Sequence, residues 1–126
     1  MKLLQLTKHR GEFQRVAATR QAQAAVMELR PGDTSDEDVS NEHPRCEQWL
    51  LVISGGGSAT VISRQGRRRQ VKLRRGALLI IEQGERHQVR NTGRKLLSTV
   101  NFYIPPAYGK TGSVLPNAKQ KRARTE

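Results

Sequence analysis

From Gln48 onward, glycine cuts the chain into short apolar runs: QWLLVIS before Gly55-Gly56-Gly57, then SATVISRQG, RQVKLRRG, ALLIIEQG, HQVRNTG and KLLSTVNFYIPP. Regularly spaced short runs with turn signals between them suit the strands of an all-β sandwich or barrel. Their Val and Ile content points the same way. In RRQVKLRRG, Val71 and Leu73 alternate with Gln70, Lys72 and Arg74, the period of a strand with one wet face. The arginines there are expected to flank a hairpin at Gln65-Gly66, on the solvent side.

The segment RVAATRQAQAAVMELRPG resists this pattern, because its Ala, Gln, Met and Leu favour helix. Residues 14–29 could be either element, and strand is preferred because everything downstream reads as β. Residues 1–13 are read as an N-terminal arm and 14–116 as the barrel domain. Residues 117–126, NAKQKRARTE, have no apolar side chain beyond alanine and are read as a basic, disordered tail.

A chain of 126 residues makes one ordinary domain. No apolar run approaches the ~18–20 residues that a membrane span requires, and the N-terminal stretch is too short for a secretory signal. A single cysteine, Cys46, excludes an internal disulfide, so a cytoplasmic protein is expected. Charge is the unusual feature: 23 Lys and Arg against 11 Asp and Glu, a net +12. Seven of the cations lie in RQGRRRQVKLRR, whereas acids concentrate in GDTSDEDVSNE. Such a balance keeps a polyanionic partner, nucleic acid included, as an alternative. Aromatic interleaving for base stacking is absent there, and a solvated basic face is the simpler reading.

The chemistry-bearing stretch is GALLIIEQGERHQVRN. Gly76, five residues, Glu82, one residue, Gly84, two residues, His87, three residues and Asn91 form a spacing that resembles the second motif of the cupin superfamily, G-x(5)-P-x-G-x(2)-H-x(3)-N. Only the proline differs, being Glu82. Gly84 is expected to adopt a positive φ in a tight turn before the histidine strand. Upstream, NEHPRCEQWLLVISG fits the frame of the first cupin motif with two ligands altered: Asn41 stands for a histidine and Gln48 for the glutamate, while His43 is kept. The small mannose-6-phosphate-isomerase-like branch is similar, and TVNFYIPPAYGKTGSV looks like its closing strand.

The resemblance implies a single-domain cupin-type jelly-roll β-barrel. It also implies a metal site of His43, His87, Gln48 and Asn41, holding a divalent ion such as Fe, Mn, Ni or Zn. Without a carboxylate, the set would bind metal more weakly than a full cupin site. Trp49, Glu82, Phe102 and Tyr103 are candidate ligand-binding residues, while Tyr108 is expected to pack outside. Cys46 has no spaced histidine pair to activate it as a nucleophile. The expected function is a pocket for a small, sugar-like molecule, with metal-dependent isomerase or dioxygenase chemistry as the enzymatic form. The competing form is a metal-free, non-catalytic binding or sensor module, and a homodimer is expected in either case.

Overall fold

Alternation decides the architecture, and strand β3 (Glu47–Ser54) shows how. Gln48, Leu50 and Val52 are buried, whereas Trp49 and Leu51 are half-covered and Ile53 is exposed. One face of the strand therefore points into a core and the other outward. The same division recurs in β7 (Arg86–Arg90), which buries His87 and Val89. In β8 (Leu97–Ile104) Leu97, Thr99, Asn101 and Tyr103 turn inward. The computed structural model describes residues 1–6, 12–41, 43–109 and 113–119, residues 117 and 119 by backbone alone.

Five more strands complete the fold: β1 (Phe13–Ala18), β2 (Gln23–Leu29), β4 (Gly57–Ile62), β5 (Arg68–Leu73) and β6 (Leu78–Ile81). They form two antiparallel sheets, β1-β2-β8-β3-β6 and β5-β4-β7. Leu29, Leu50, Val52 and Leu97 from the first meet Ala59, Leu73 and Val89 from the second in one apolar core. The chain is thus all-β, as its punctuation implies, and a jelly roll, as the family resemblance implies. Among the described residues the one helical element is a single turn, α1 (Pro116–Lys119). Among the described residues no helix is long and apolar enough to cross a membrane.

Residues 14–29 are strand, with β1 pairing β2 and β2 pairing β8 along its full length from Gln23↔Tyr103 to Leu29↔Leu97. Helix propensity here amounts to a few tenths of a kcal/mol per residue. A seven-residue ladder that also buries Ala25 and Leu29 outweighs it. The β4–β5 hairpin turns at Gly66, between exposed arginines. Gly84 has φ +87°, the left-handed turn expected ahead of the histidine strand. The C-terminal stretch is anchored at least to Ala118, which is fully buried and whose carbonyl accepts the Arg45 N–H at 3.3 Å. The rest of the expected tail, 120–126, and part of the arm, 7–11, lie outside the described residues.

Candidate functional site

Beyond the apolar core, the inward positions of three strands become polar together. Gln48 on β3 faces Tyr103 on β8, and Leu50, next inward on β3, faces Asn101. On β7, His87 succeeds Val89 inside the barrel. The fourth group, His43, comes from the segment before β3 and is 2% exposed. His43, Gln48, His87 and Tyr103 line a cavity of about 260 Å³, with Leu29, Met27 and Val89 as its apolar wall.

The two imidazoles stand 5.8 Å apart, centre to centre, at 40°. Burial first, and then the neighbouring His43, push the His87 pKa down to about 3, so its ring is neutral at ordinary pH. His87 Nδ1 is buried without a hydrogen-bond partner, and so is Gln48 Oε1. A buried acceptor without a donor costs roughly 1–3 kcal/mol. Both residues line the cavity, and such a pair of atoms suits a donor or a cation.

The polarity of Gln48 has a structural cause. The Thr99 hydroxyl donates to the Met27 carbonyl at 3.3 Å, so its oxygen is left to accept from Asn101 Nδ2 at 2.9 Å. Asn101 Oδ1 must then accept, and it takes the Gln48 Nε2 hydrogen at 2.9 Å. The backbone carbonyl at one end of this buried chain thereby fixes which end of the Gln48 amide is spent. The amide oxygen is the end left over.

Aromatic rings close the other side. Tyr103 and Tyr108 meet edge to face at 5.1 Å, and each presents a ring edge-on to His43. Phe13 adds a fourth ring, 5.0 Å from Tyr108. Tyr108 was expected outside, yet it is 7% exposed and lines the cavity. Gln23 holds it there: its Oε1 accepts the backbone N–H of Ala107 and Tyr108, and its Nε2 donates to the Tyr108 carbonyl at 2.6 Å. No short-range pattern announces this contact, since the two segments are 85 positions apart. Phe13, Ser35 and Asp36 also reach the cavity and were not singled out by the sequence.

Of the eight candidates, the structure brings His43, His87, Gln48 and Tyr103 together. Asn41 is instead spent on the backbone: its Nδ2 donates to the Glu85 carbonyl at 2.6 Å and its Oδ1 accepts the His43 N–H at 2.9 Å. Residues 41 and 43 lie outside any strand, so the i, i+2 rule that would aim both inward does not apply. Trp49 and Phe102 are cross-strand partners on the outer face, one position out of phase with Gln48 and Tyr103. Glu82 is an exposed turn residue, its N–H held by Glu85 Oε1 at 2.8 Å. Asn91, the last position of the second motif, is a buried clamp. Its Nδ2 donates to the Leu29 and Lys95 carbonyls at 2.8 and 2.7 Å, and its Oδ1 accepts the Gly93 N–H. Cys46 is buried, and that burial pushes its thiol up to about 11, which suits packing rather than nucleophilic attack.

A metal would therefore find two imidazoles and one amide oxygen. The described residues hold no group of three or more His, Cys, Asp or Glu fit to bind an ion. The donors present still fit one: two imidazoles 5.8 Å apart, centre to centre, and an amide oxygen without a donor are neutral groups that would hold a divalent ion between them.

Residues 25–103 match the cupin domain family. No curated protein sequence matches the chain. Among solved structures, a Bacillus halodurans protein is 24% identical, over 85% of this chain and 79% of that one, with a TM-score of 0.73. A Thermus thermophilus protein is 15% identical over 83% and 98%, with a TM-score of 0.69. Bacillus subtilis oxalate decarboxylase, which has Mn(II) centres, is 22% identical over 71% of this chain but only 23% of its own, with a TM-score of 0.62. Likeness at these identities speaks to the fold alone.

Proposed function

The chain belongs to the cupin domain family, and from that premise we propose that it binds a small polar molecule of about monosaccharide size together with a divalent cation held by His43, His87 and Gln48. The observation that carries this reading is the pair of buried, unpartnered polar atoms, His87 Nδ1 and Gln48 Oε1, on residues that line one cavity. A cavity of about 260 Å³ lies just below the usual range for drug-sized ligands, which favours a small one. The Tyr103–Tyr108 wall offers ring edges and faces to an apolar ligand surface, while the polar floor can take hydroxyls. That combination, with the likeness of the first motif to the mannose-6-phosphate-isomerase-like branch, supports a sugar-like ligand.

When bound, the cation supplies Lewis-acid polarisation of a ligand carbonyl or hydroxyl. The chain's own residues do the rest. His87 stays unprotonated because it is buried, so no proton competes for its nitrogen above acidic pH. The Asn101–Thr99 chain keeps the Gln48 oxygen turned to the cavity. Leu29 and Val89 exclude water from its inner wall. Isomerase or dioxygenase turnover is the enzymatic form of this proposal.

Elemental analysis of untagged protein, wild type and His43→Ala/His87→Ala, tests the reading. Near-stoichiometric metal in the first and none in the second is the expected result. Absence of metal from wild type after supplying Fe, Mn, Ni and Zn would overturn it. Because the described residues hold no group of three or more His, Cys, Asp or Glu fit to bind an ion, a second reading is the same pocket used metal-free as a sensor. A thermal-shift screen with monosaccharides, run in chelator, detects that form.

Assembly as a homodimer belongs to the same proposal. The outer face of the five-stranded sheet carries Trp49 in register with Ile80 and Phe102, and Leu51 in register with Leu78. Ile80, Phe102 and Leu78 are 44, 37 and 50% exposed. Two copies of a strongly basic chain can approach through this face, where these five residues carry no charge. Light scattering should report a dimer that Trp49→Glu/Phe102→Glu converts to monomer, and a wild-type monomer would refute it.

A further inference from the structure

The outer face of the three-stranded sheet has an opposite character. Register places three rows across it: Lys72–Ser58–Arg90, Gln70–Thr60–Gln88 and Arg68–Ile62–Arg86. Four cations thus stand at the corners and no carboxylate stands within. Arg68, Lys72, Arg86 and Arg90 are all exposed, and none has an ion-pair partner among the described residues. Ile62, in the row between two arginines, is nevertheless 6% exposed, as an apolar residue covered by aliphatic cation stems would be.

The dimensions follow from strand geometry. Arg68 to Lys72, and Arg86 to Arg90, are four residues apart, about 13 Å along the strand, and β5 to β7 is two strand spacings, about 10 Å. Two parallel rows of cations roughly 10 Å apart match phosphate rows facing each other across a duplex groove, which is about 12 Å for the major groove. The centre offers hydroxyls and amides and no aromatic ring, so there is nothing to stack on splayed bases. One side is closed: the exposed acids Glu37 and Asp38 border the β7 edge, where Gln88 Nε2 donates to the Asp36 and Glu37 carbonyls. The end of the face at Ile62 and Arg68 continues into the Arg64–Arg67 turn of the hairpin.

We propose that this face binds the phosphate backbone of duplex nucleic acid without reading its sequence, independently of the pocket. The footprint runs from β7 towards β5 and the hairpin turn, away from the acidic edge.

The test is fluorescence anisotropy with a labelled mixed-sequence 20-base-pair DNA duplex. Four phosphate contacts predict a log–log salt slope near −3.6, or roughly 100-fold weaker binding at 200 mM salt than at 50 mM. Arg68→Gln/Lys72→Gln/Arg86→Gln/Arg90→Gln should abolish binding. Lys2→Gln/Arg20→Gln/Arg30→Gln/Lys95→Gln, which removes as many charges from exposed sites elsewhere, should bind like wild type. All eight positions are exposed, so both variants should melt within a few degrees of wild type. Equal losses in the two variants would reduce the effect to net charge and overturn the proposal. So would no binding to the duplex, or binding to phosphatidylserine vesicles in its place, which would assign the face to a membrane surface.

Discussion

Replacing Asn101 with leucine tests whether the buried polar chain orients the pocket. Asn101 is fully buried, accepts from Gln48 Nε2 and donates to Thr99 Oγ1, both at 2.9 Å. Leucine has about the same size and neither group, so the change opens no large cavity. Its cost comes from the groups left behind. The Thr99 hydroxyl keeps an acceptor, the Met27 carbonyl, but the Gln48 amide loses its only one and both its ends become unsatisfied. One newly orphaned buried donor costs about 1–3 kcal/mol, and the lost bond to Thr99 adds less. We expect about 2–3 kcal/mol in all, a fall in Tm on the order of 10 °C for a chain of this length. Gln48→Leu/Asn101→Leu removes both partners and strands nothing, so it should be at least ~1 kcal/mol more stable than Asn101→Leu alone. Urea unfolding followed by Trp49 fluorescence measures all four corners of the cycle. If the two single changes simply add, Gln48 and Asn101 are uncoupled and the account of the unpaired Gln48 oxygen fails.

Three shorter predictions follow from other residues. His87 stays neutral in the fold down to about pH 3, whereas in the unfolded chain it takes a proton below about 6.5. The unfolded state therefore binds more protons across that window, and its share of stability, complete above pH 6.5, is lost as pH falls, by at most ~1.4 kcal/mol per pH unit. Chelator-treated His87→Gln should show a correspondingly flatter urea midpoint between pH 4 and 6.5, and an unchanged slope would contradict the burial argument. A methyl group at Gly57 would run into the Arg90 carbonyl and crowd Leu97 Cδ2, parting β4 from β7; Gly57→Ala should cost more than ~2 kcal/mol in a urea melt. Gly66→Ala, which meets nothing within 4 Å, should cost only the ~1–2 kcal/mol of its positive φ. Finally, the buried Cys46 thiol should alkylate at pH 8 at least ~100-fold more slowly in native protein than in urea, because little thiolate forms and access is closed.

Local pattern alone determined the strand class, the hairpin at Gly66 and the left-handed turn at Gly84, because period-two alternation and glycine punctuation act within a few residues. His87 was proposed through the spacing of Gly76, Gly84, His87 and Asn91, which resembles a known motif, and its alternating strand turns it inward. His43 and Gln48 could be proposed only through the likeness of their spacing to a known motif. Residues 14–29 were ambiguous because their propensity is helical, and the pairing with β8, some seventy positions away, made them strand. The pocket walls needed still longer reach. Tyr108 is inside because Gln23 binds its backbone, and Trp49 and Phe102 are outside because β3 and β8 lock in a register that sends Gln48 and Tyr103 inward. The outward rows of Lys72, Arg90, Arg68 and Arg86 likewise exist only once β5, β4 and β7 are side by side. Sequence specifies which residues share a strand face, and tertiary pairing decides which faces meet, because contact between strands is set by the ladder and not by distance along the chain.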